Sequence, residues 1–229
     1  MILRTEKKEG ETPLELINRL RTEGVISDEK ATYAGRLDPM ASGAMIILTG
    51  EDVHRKEEFF SLDKEYEVEI LFGFATDSYD ILGKLTDHVS TIVDELKVKE
   101  ALPSFVGKFV QEYPRYSSKV IAMAEVPEEL PTREVEIYSI EYVGDRKEQS
   151  ASLLQDIEVR INKVKGDFRQ EEIIALWKNN LENTEEEFLI VKIRVKCSSG
   201  TYMRTLAHEL GKKLIVPALA YSIKRVGMI

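Results

Sequence analysis

The sequence predicts an α+β fold: a mixed, mostly antiparallel sheet flanked by helices, with a helical hairpin inserted into one sheet connection. Three observations predict it. Lys64–Phe72 and Phe188–Cys197 alternate apolar with charged residues, the period of a half-buried strand. Strand and helix patterns follow one another without regular βα repetition, which argues against a parallel α/β sheet. Between two strand patterns, roughly Gln149–Glu187 carries helical spacing instead.

The elements follow in order. Thr12-Pro13-Leu14-Glu15 starts a helix: Thr12 can cap, Pro13 suits the first helical position, and Glu15 sits three residues after the cap. Leu14, Ile17 and Leu20 would then share its apolar face. A loop over Asp28–Asp38 leads to the apolar run Ala44–Leu48, read as a buried strand ending at Thr49-Gly50. In Lys64–Phe72, Tyr66, Val68, Ile70 and Phe72 face one way, and Glu65, Glu67 and Glu69 the other. Ser90–Leu102 reads as a helix and Glu134–Val143 as a strand. Leu153, Leu154, Ile157, Ile161 and Val164 form one helical stripe, and Ile173, Ile174, Trp177 and Leu181 another, with Gly166 between them. In Phe188–Cys197 the apolar set Val191, Ile193, Val195 and Cys197 alternates with Lys192, Arg194 and Lys196. A helix over about Thr201–Leu214 and a strand around Ile223-Lys224-Arg225-Val226 complete the chain.

Composition sets limits. The 229 residues are 43% hydrophobic and 32% charged, enough for one large domain or two small ones with a sizeable core. One cysteine, Cys197, excludes an intramolecular disulfide and any multi-cysteine metal site, and His54, His88 and His208 lie too far apart for a histidine pair. There is no P-loop, no GxGxxG, no signal-peptide core and no apolar run of membrane-spanning length. A soluble cytoplasmic monomer with no metal and no cofactor is expected.

Three segments carry candidate chemistry. Tyr33-Ala34-Gly35-Arg36-Leu37-Asp38-Pro39-Met40-Ala41-Ser42-Gly43 brackets an Asp-Pro with glycines and puts a carboxylate on a stiff loop. An isolated Asp-Pro is also a common turn initiator. Gly200-Thr201-Tyr202-Met203-Arg204-Thr205 opens a helix after a basic strand, where Arg204 can address a carboxylate or an anion, or simply sit in solvent. Lys64-Glu65-Tyr66 starts a strand whose inward aromatic is Tyr66.

In order and combination these segments resemble the TruB family of pseudouridine synthases. That family carries a G-x-L-D-P-x-A-[TS]-G loop, a K-x-Y strand and a C-x-x-G-T-Y-[IV]-R segment, matched here by Gly35–Gly43, Lys64–Tyr66 and Cys197–Arg204. Further similarity lies in Leu71-Phe72-Gly73 with Thr76–Asp80 and Gly83, and in Phe105–Ser118. The RluA-type synthases share the Arg36-Leu37-Asp38 core, but Pro39 and the G-T-Y-x-R segment favour TruB. The resemblance spans nearly the whole chain apart from about 149–187.

The resemblance implies isomerisation of uridine to pseudouridine in the T-loop of tRNA, at position 55, with the T-arm stem-loop as partner and a single catalytic domain over 1–229. Asp38 matches the family's aspartate nucleophile; whether it attacks ribose or base stays open. Arg204 matches the arginine that pairs with it. Tyr66 matches the tyrosine that stacks on the flipped-out base, and its hydroxyl is a candidate for proton transfer at C5. Tyr202 and Ile223 match residues lining the uridine pocket. Lys64 matches a supporting lysine, set with Arg36, Lys224 and Arg225 among the RNA-binding candidates. Tyr33 stands where the family has a histidine that packs on RNA, and tyrosine can also stack. A non-catalytic tRNA-binding protein on the same scaffold is the alternative. A hydrolase using Asp38 with Asp77 or Asp80 lacks any spacing that fixes a catalytic separation.

The chain also departs from the family. Lys119–Pro127 is shorter than the usual RNA-gripping segment, the hairpin at about 149–187 is extra, and a form without a C-terminal PUA domain is expected. The hairpin either packs on the body or replaces RNA contacts, and Trp177 is either core or contact. The formal net charge of −9 argues against a polyanion partner until it is divided: residues 189–229 hold eight cations and one acid. That basic tail is expected to supply a small phosphate footprint, since screening confines charges to roughly 8 Å at physiological salt.

Overall fold

A computed structural model describes residues 1–90, 93–117 and 129–229. The Lys119–Pro127 segment and Ser118 of the Phe105–Ser118 motif therefore lie outside the described residues. The α+β expectation holds. β1 (Ile2–Lys7) leads into α1 (Pro13–Thr22), then come β2 (Ala31–Ala34), β3 (Ala41–Thr49), α2 (Lys56–Phe60) and β4 (Lys64–Phe72). β5 (Phe74–Thr76) and β6 (Leu85–His88) form a small separate ribbon. α3 (Glu95–Ala101), β7 (Gly107–Glu112) and β8 (Thr132–Gln149) precede the hairpin of α4 (Ser150–Ile161) and α5 (Gln170–Leu181). β9 (Glu187–Cys197), α6 (Met203–Leu214) and β10 (Ala218–Met228) finish the chain.

The main sheet runs β1-β3-β10-β4-β9-β8-β7, with β2 on β3. Within it β10 pairs with β3 in parallel and the other described pairings are antiparallel. The last strand thus threads between β3 and β4, carrying Ile223–Arg225 alongside Ala41–Gly43 at the start of β3. Gly43 makes this possible: its φ is +104°, and a Cβ there would sit 2.2 Å from the Arg225 carbonyl oxygen.

Alternation in β4 and β9 divides the interior into two layers. Tyr66, Val68, Ile70 and Phe72 join Val191, Ile193 and Val195 in one core with Leu16, Ile17 and Leu20 of α1 and Leu206 and Leu210 of α6. Leu71, Ile190 and Leu219 face the other way, onto Leu153, Ile157 and Ile161 of α4 and Ile173, Trp177 and Leu181 of α5. The hairpin packs on the body, and Trp177 is fully buried there. No described helix is long and apolar enough to cross a membrane.

Several local expectations shift. Thr12 caps α1 with a complete capping box, yet the buried face is Pro13, Leu16, Ile17 and Leu20, and Leu14 is exposed. The step from 13 to 16, 17 and 20 is the true i, i+3, i+4, i+7 stripe. The Asp28–Asp38 loop contains β2, which pairs with β3. The helix expected over Ser90–Leu102 covers Glu95–Ala101, capped by Asp94.

Candidate active site

Asp38 and Arg204 meet at the floor of a cavity of about 300 Å³, on the layer shared with α1 and α6. Arg204 Nη2 lies 2.8 Å from Asp38 Oδ2, with the arginine side chain 3% exposed and the aspartate 25%. Each partner is held from behind. The Pro39 carbonyl accepts from the Gly10 amide at 2.9 Å and from the buried Lys7 ammonium at 3.2 Å, which pins the Asp38 loop to the turn after β1. Gly35 takes φ +74°, and its carbonyl accepts from Arg225 at 3.0 Å.

Arg204 sits in the first turn of α6, its start fixed by Gln111 of β7: the Gln111 amide oxygen accepts from the Tyr202 N–H at 2.8 Å, and its amide nitrogen donates to the Tyr202 carbonyl at 3.2 Å. The guanidinium then reaches into the tight loop after β5. Its Nη1 donates to the Ser78 carbonyl at 2.7 Å, and its Nε lies 3.8 Å from Asp80 Oδ2. Asp80 is itself buried and accepts from Ser78 Oγ at 2.6 Å and from the Leu82 N–H at 3.0 Å. Burial pushes the Asp80 carboxyl above its usual range, against the pull of Arg204. Burial also opposes the charge of Arg204, but Asp38 and Asp80 together outweigh it and hold the guanidinium more firmly protonated.

The walls are aromatic and aliphatic. Tyr66 of β4 and Ile223 of β10 both line the cavity, in register with Arg225 and Val68 respectively, and Tyr202 meets Tyr113 edge-on at 5.4 Å between ring centres. Burial raises the Tyr66 phenol above its ordinary value, partly offset by Arg225, and pushes Tyr202 up to about 12. Both hydroxyls therefore carry their protons at neutral pH.

The structure brings Asp38, Tyr66, Arg204, Tyr202, Ile223, Arg36, Lys64 and Arg225 to one cavity. It leaves two candidates outside. Tyr33, on β2, packs against the core. Lys224 is exposed beside Ser42 and Glu67, and strand alternation turns it to the sheet face opposite Ile223 and Arg225. Two other cations differ from the sequence expectation of phosphate contacts. Arg225 is 1% exposed and spends its donors on the Ala44 and Gly35 carbonyls. Lys64 is 4% exposed and donates to the Phe60 and Leu62 carbonyls; burial, reinforced by Arg225, lowers it to about 8. Both line the cavity, their donors spent on backbone carbonyls, and Arg36 stays exposed at its rim. Sequence reasoning missed Asp80 as the second carboxylate on Arg204, Lys7 behind Pro39, and Arg133, an exposed cation on the cavity rim.

This sheet and its helices are those of the pseudouridine synthase fold. Solved structures agree on the fold: a chain of a Cbf5-Nop10-Gar1 complex superposes with TM-score 0.61 at 19% identity, covering 99% of this chain and 48% of that one. A chain of an H/ACA RNP bound to a substrate RNA superposes with TM-score 0.58 at 18% identity, covering 99% and 47%. The family model for TruB family pseudouridylate synthase (N terminal domain) matches residues 24–168, and the chain belongs to that family. Its relatives include tRNA pseudouridine synthase B of Syntrophus aciditrophicus, 30% identical over 98% of this chain and 61% of that protein. Those of Thermotoga maritima (29%; 98% and 61%) and Endomicrobium trichonymphae (28%; 98% and 83%) are similar. The chain spans about three fifths of the first and second of these relatives.

Proposed function

We propose that this protein converts uridine to pseudouridine in the T-loop of tRNA, at position 55, with Asp38 as nucleophile. The relatives named tRNA pseudouridine synthase B support the substrate class. The observation that carries the reading is the Asp38–Arg204 pair at the floor of a cavity walled by Tyr66, Tyr202 and Ile223. A uridine inside a helical stack is out of reach, so the target base is flipped out into that cavity, with Tyr66 stacking against it. The Asp38 carboxylate attacks as the C1′–N1 glycosidic bond breaks, holding one fragment covalently while the base turns to present C5. Carbon–carbon bond formation frees Asp38; the C5 proton is then lost to water and N1 takes a proton from water, with the protonated Tyr66 hydroxyl a candidate relay. Arg204 keeps the carboxylate aimed through a forked guanidinium already anchored on Ser78 and Asp80.

The test is Asp38→Asn in a tritium-release assay on a T-arm stem-loop labelled at C5. Release should vanish while stem-loop affinity persists. Conversion by purified Asp38→Asn would remove Asp38 from the nucleophile role; no conversion by the wild type on any tRNA would remove the function.

A further inference from the structure

The helical hairpin touches both loops that hold the Asp38–Arg204 pair. On one side Arg160 of α4, itself buried, donates through Nε and Nη2 to Glu9 Oε2 at 3.1 and 2.8 Å. Lys163 adds an ion pair to Glu9 Oε1 at 3.1 Å. Glu9 precedes Gly10, whose amide grips the Pro39 carbonyl, so this contact ends one residue from Asp38.

On the other side the hairpin turn presents Arg169. Its Nη1 donates to Asp77 Oδ2 at 2.7 Å and to the Tyr116 hydroxyl at 3.0 Å, its Nη2 to Asp77 Oδ1 at 3.3 Å, and its guanidinium lies 4.4 Å from the Tyr116 ring centre. Arg169 adopts φ +65°, a region that side chains other than glycine enter at a cost and keep only when their contacts require it. Asp77 in turn accepts from the Lys84 amide at 2.9 Å, closing the loop that carries Ser78 and Asp80. The same loop is held by α5 through Glu172–Lys84 at 2.5 Å and Trp177 Nε1 to the Ile81 carbonyl at 3.3 Å. A second cavity, of about 320 Å³, opens between Arg169, Tyr116 and the far side of the Asp38–Arg204 pair.

We propose that the hairpin is a brace for the active site and that Arg169 is a positioning residue. By clamping Asp77 and Tyr116 it fixes the 77–84 loop, and through Ser78 and Asp80 it fixes Arg204 against Asp38. The inference rests on the proposed isomerase reading for its kinetic test, but not for its structural one. A carboxylate and guanidinium that drift by about 1 Å lose productive alignment, and such a drift can cost on the order of a hundredfold in rate.

The experiment compares wild type, Arg169→Ala and Arg169→Lys. In single-turnover reactions on a T-arm stem-loop at saturating enzyme, Arg169→Ala should lower the rate by roughly tenfold to a hundredfold, with stem-loop Kd within about twofold. Arg169→Lys should recover part of the loss, since an ammonium reaches Asp77 but lacks the fork. In the free protein, the Arg204 Nε–Hε resonance should be sharp and slow to exchange in the wild type and broadened in Arg169→Ala. An unchanged saturating rate overturns the proposal, and a raised Kd with an unchanged saturating rate would make the hairpin an RNA contact instead. An inactive wild type would sink the isomerase reading alone; the Arg204 resonance still decides the brace. Should Arg169→Ala not fold, the lysine variant carries the same comparison: a wild-type saturating rate with a wild-type Arg204 signal in it overturns the brace.

Discussion

The two faces of the central sheet use arginines and lysines in opposite ways. On the face under α1 and α6, Arg204 is buried and its partners are two carboxylates and a backbone carbonyl drawn from separate loops. On the outer face of β4, β8 and β9 the cations are met by a ladder of glutamates across neighbouring strands. Glu67 takes both Lys192 and Arg194 at 2.7 Å, and Glu69 takes Arg146 at 2.6 Å. Those two cations hold the Glu67 carboxyl down at about 2. The first arrangement fixes an aspartate against a buried guanidinium in a cavity; the second cancels charge at the surface. The local excess of cations in residues 189–229 is thereby largely spent within the protein, on Asp38, Glu67 and backbone carbonyls.

The largest expected effect lies on the cavity face. Arg204→Lys keeps the charge but loses the fork, and one ammonium cannot serve Asp38, Asp80 and the Ser78 carbonyl together. The single-turnover rate should fall on the order of a thousandfold, the upper end for removal of one preorganised electrostatic partner. Stem-loop affinity should change little. A variant with near wild-type rate would show that charge alone suffices there, and the contrast between the two faces would collapse.

A smaller effect separates buried from exposed cations by pH. Lys64 titrates at about 8 in the folded chain because burial disfavours its charge, against 10.5 when exposed. Between those values the unfolded chain binds the extra proton, so stability rises with pH across the window and the gain is lost as pH falls through about 8. Lys7, also lowered to about 8 by burial, adds to the same slope. Urea denaturation from pH 8 to 10.5 should show Lys64→Met with a shallower rise than wild type, since the Lys64 contribution is gone. Identical slopes would mean that Lys64 is solvated.

How far the sequence led differs between the same two faces. β4 and β9 are legible because alternation survives wherever one side of a strand is polar, and Asp38, Tyr66 and Arg204 are legible because their motifs are local. Asp80 is not: Thr76–Asp80 offers two carboxylates three residues apart, and only the fold turns one inward to Arg204 and the other outward to Arg169. Arg225 looks like a surface cation near a chain end, yet the close approach of β3 at Gly43 buries it. Lys192 and Arg194 read as a phosphate-facing stripe, because nothing in β9 itself reveals that β4 sets Glu69 opposite Lys192 and Glu67 opposite Arg194. β1 and β7 escaped notice for a different reason: they are short and lie at the ends of the sheet, where the apolar signal of one buried face is weakest.

The smallest effect tests the footprint itself. If the outer face is self-neutralised, a Glu67→Gln, Lys192→Met double-mutant cycle should give a coupling of about 0.2–1 kcal/mol in stability, as for exposed pairs, and Lys192→Met should leave tRNA binding and its salt dependence alone. Arg36 and Arg133 stand on the rim of the cavity, exposed, where a phosphate beside a flipped nucleotide would pass. Replacing either with alanine should weaken binding and flatten the plot of log Kd against log salt by about one contact. The wild-type slope should be shallow, because Arg204, Arg225, Lys64, Lys192 and Arg194 are all committed elsewhere. A slope corresponding to about ten or more phosphates, or one that flattens on removing Lys192, would mean that RNA opens the glutamate ladder and uses the outer face as well.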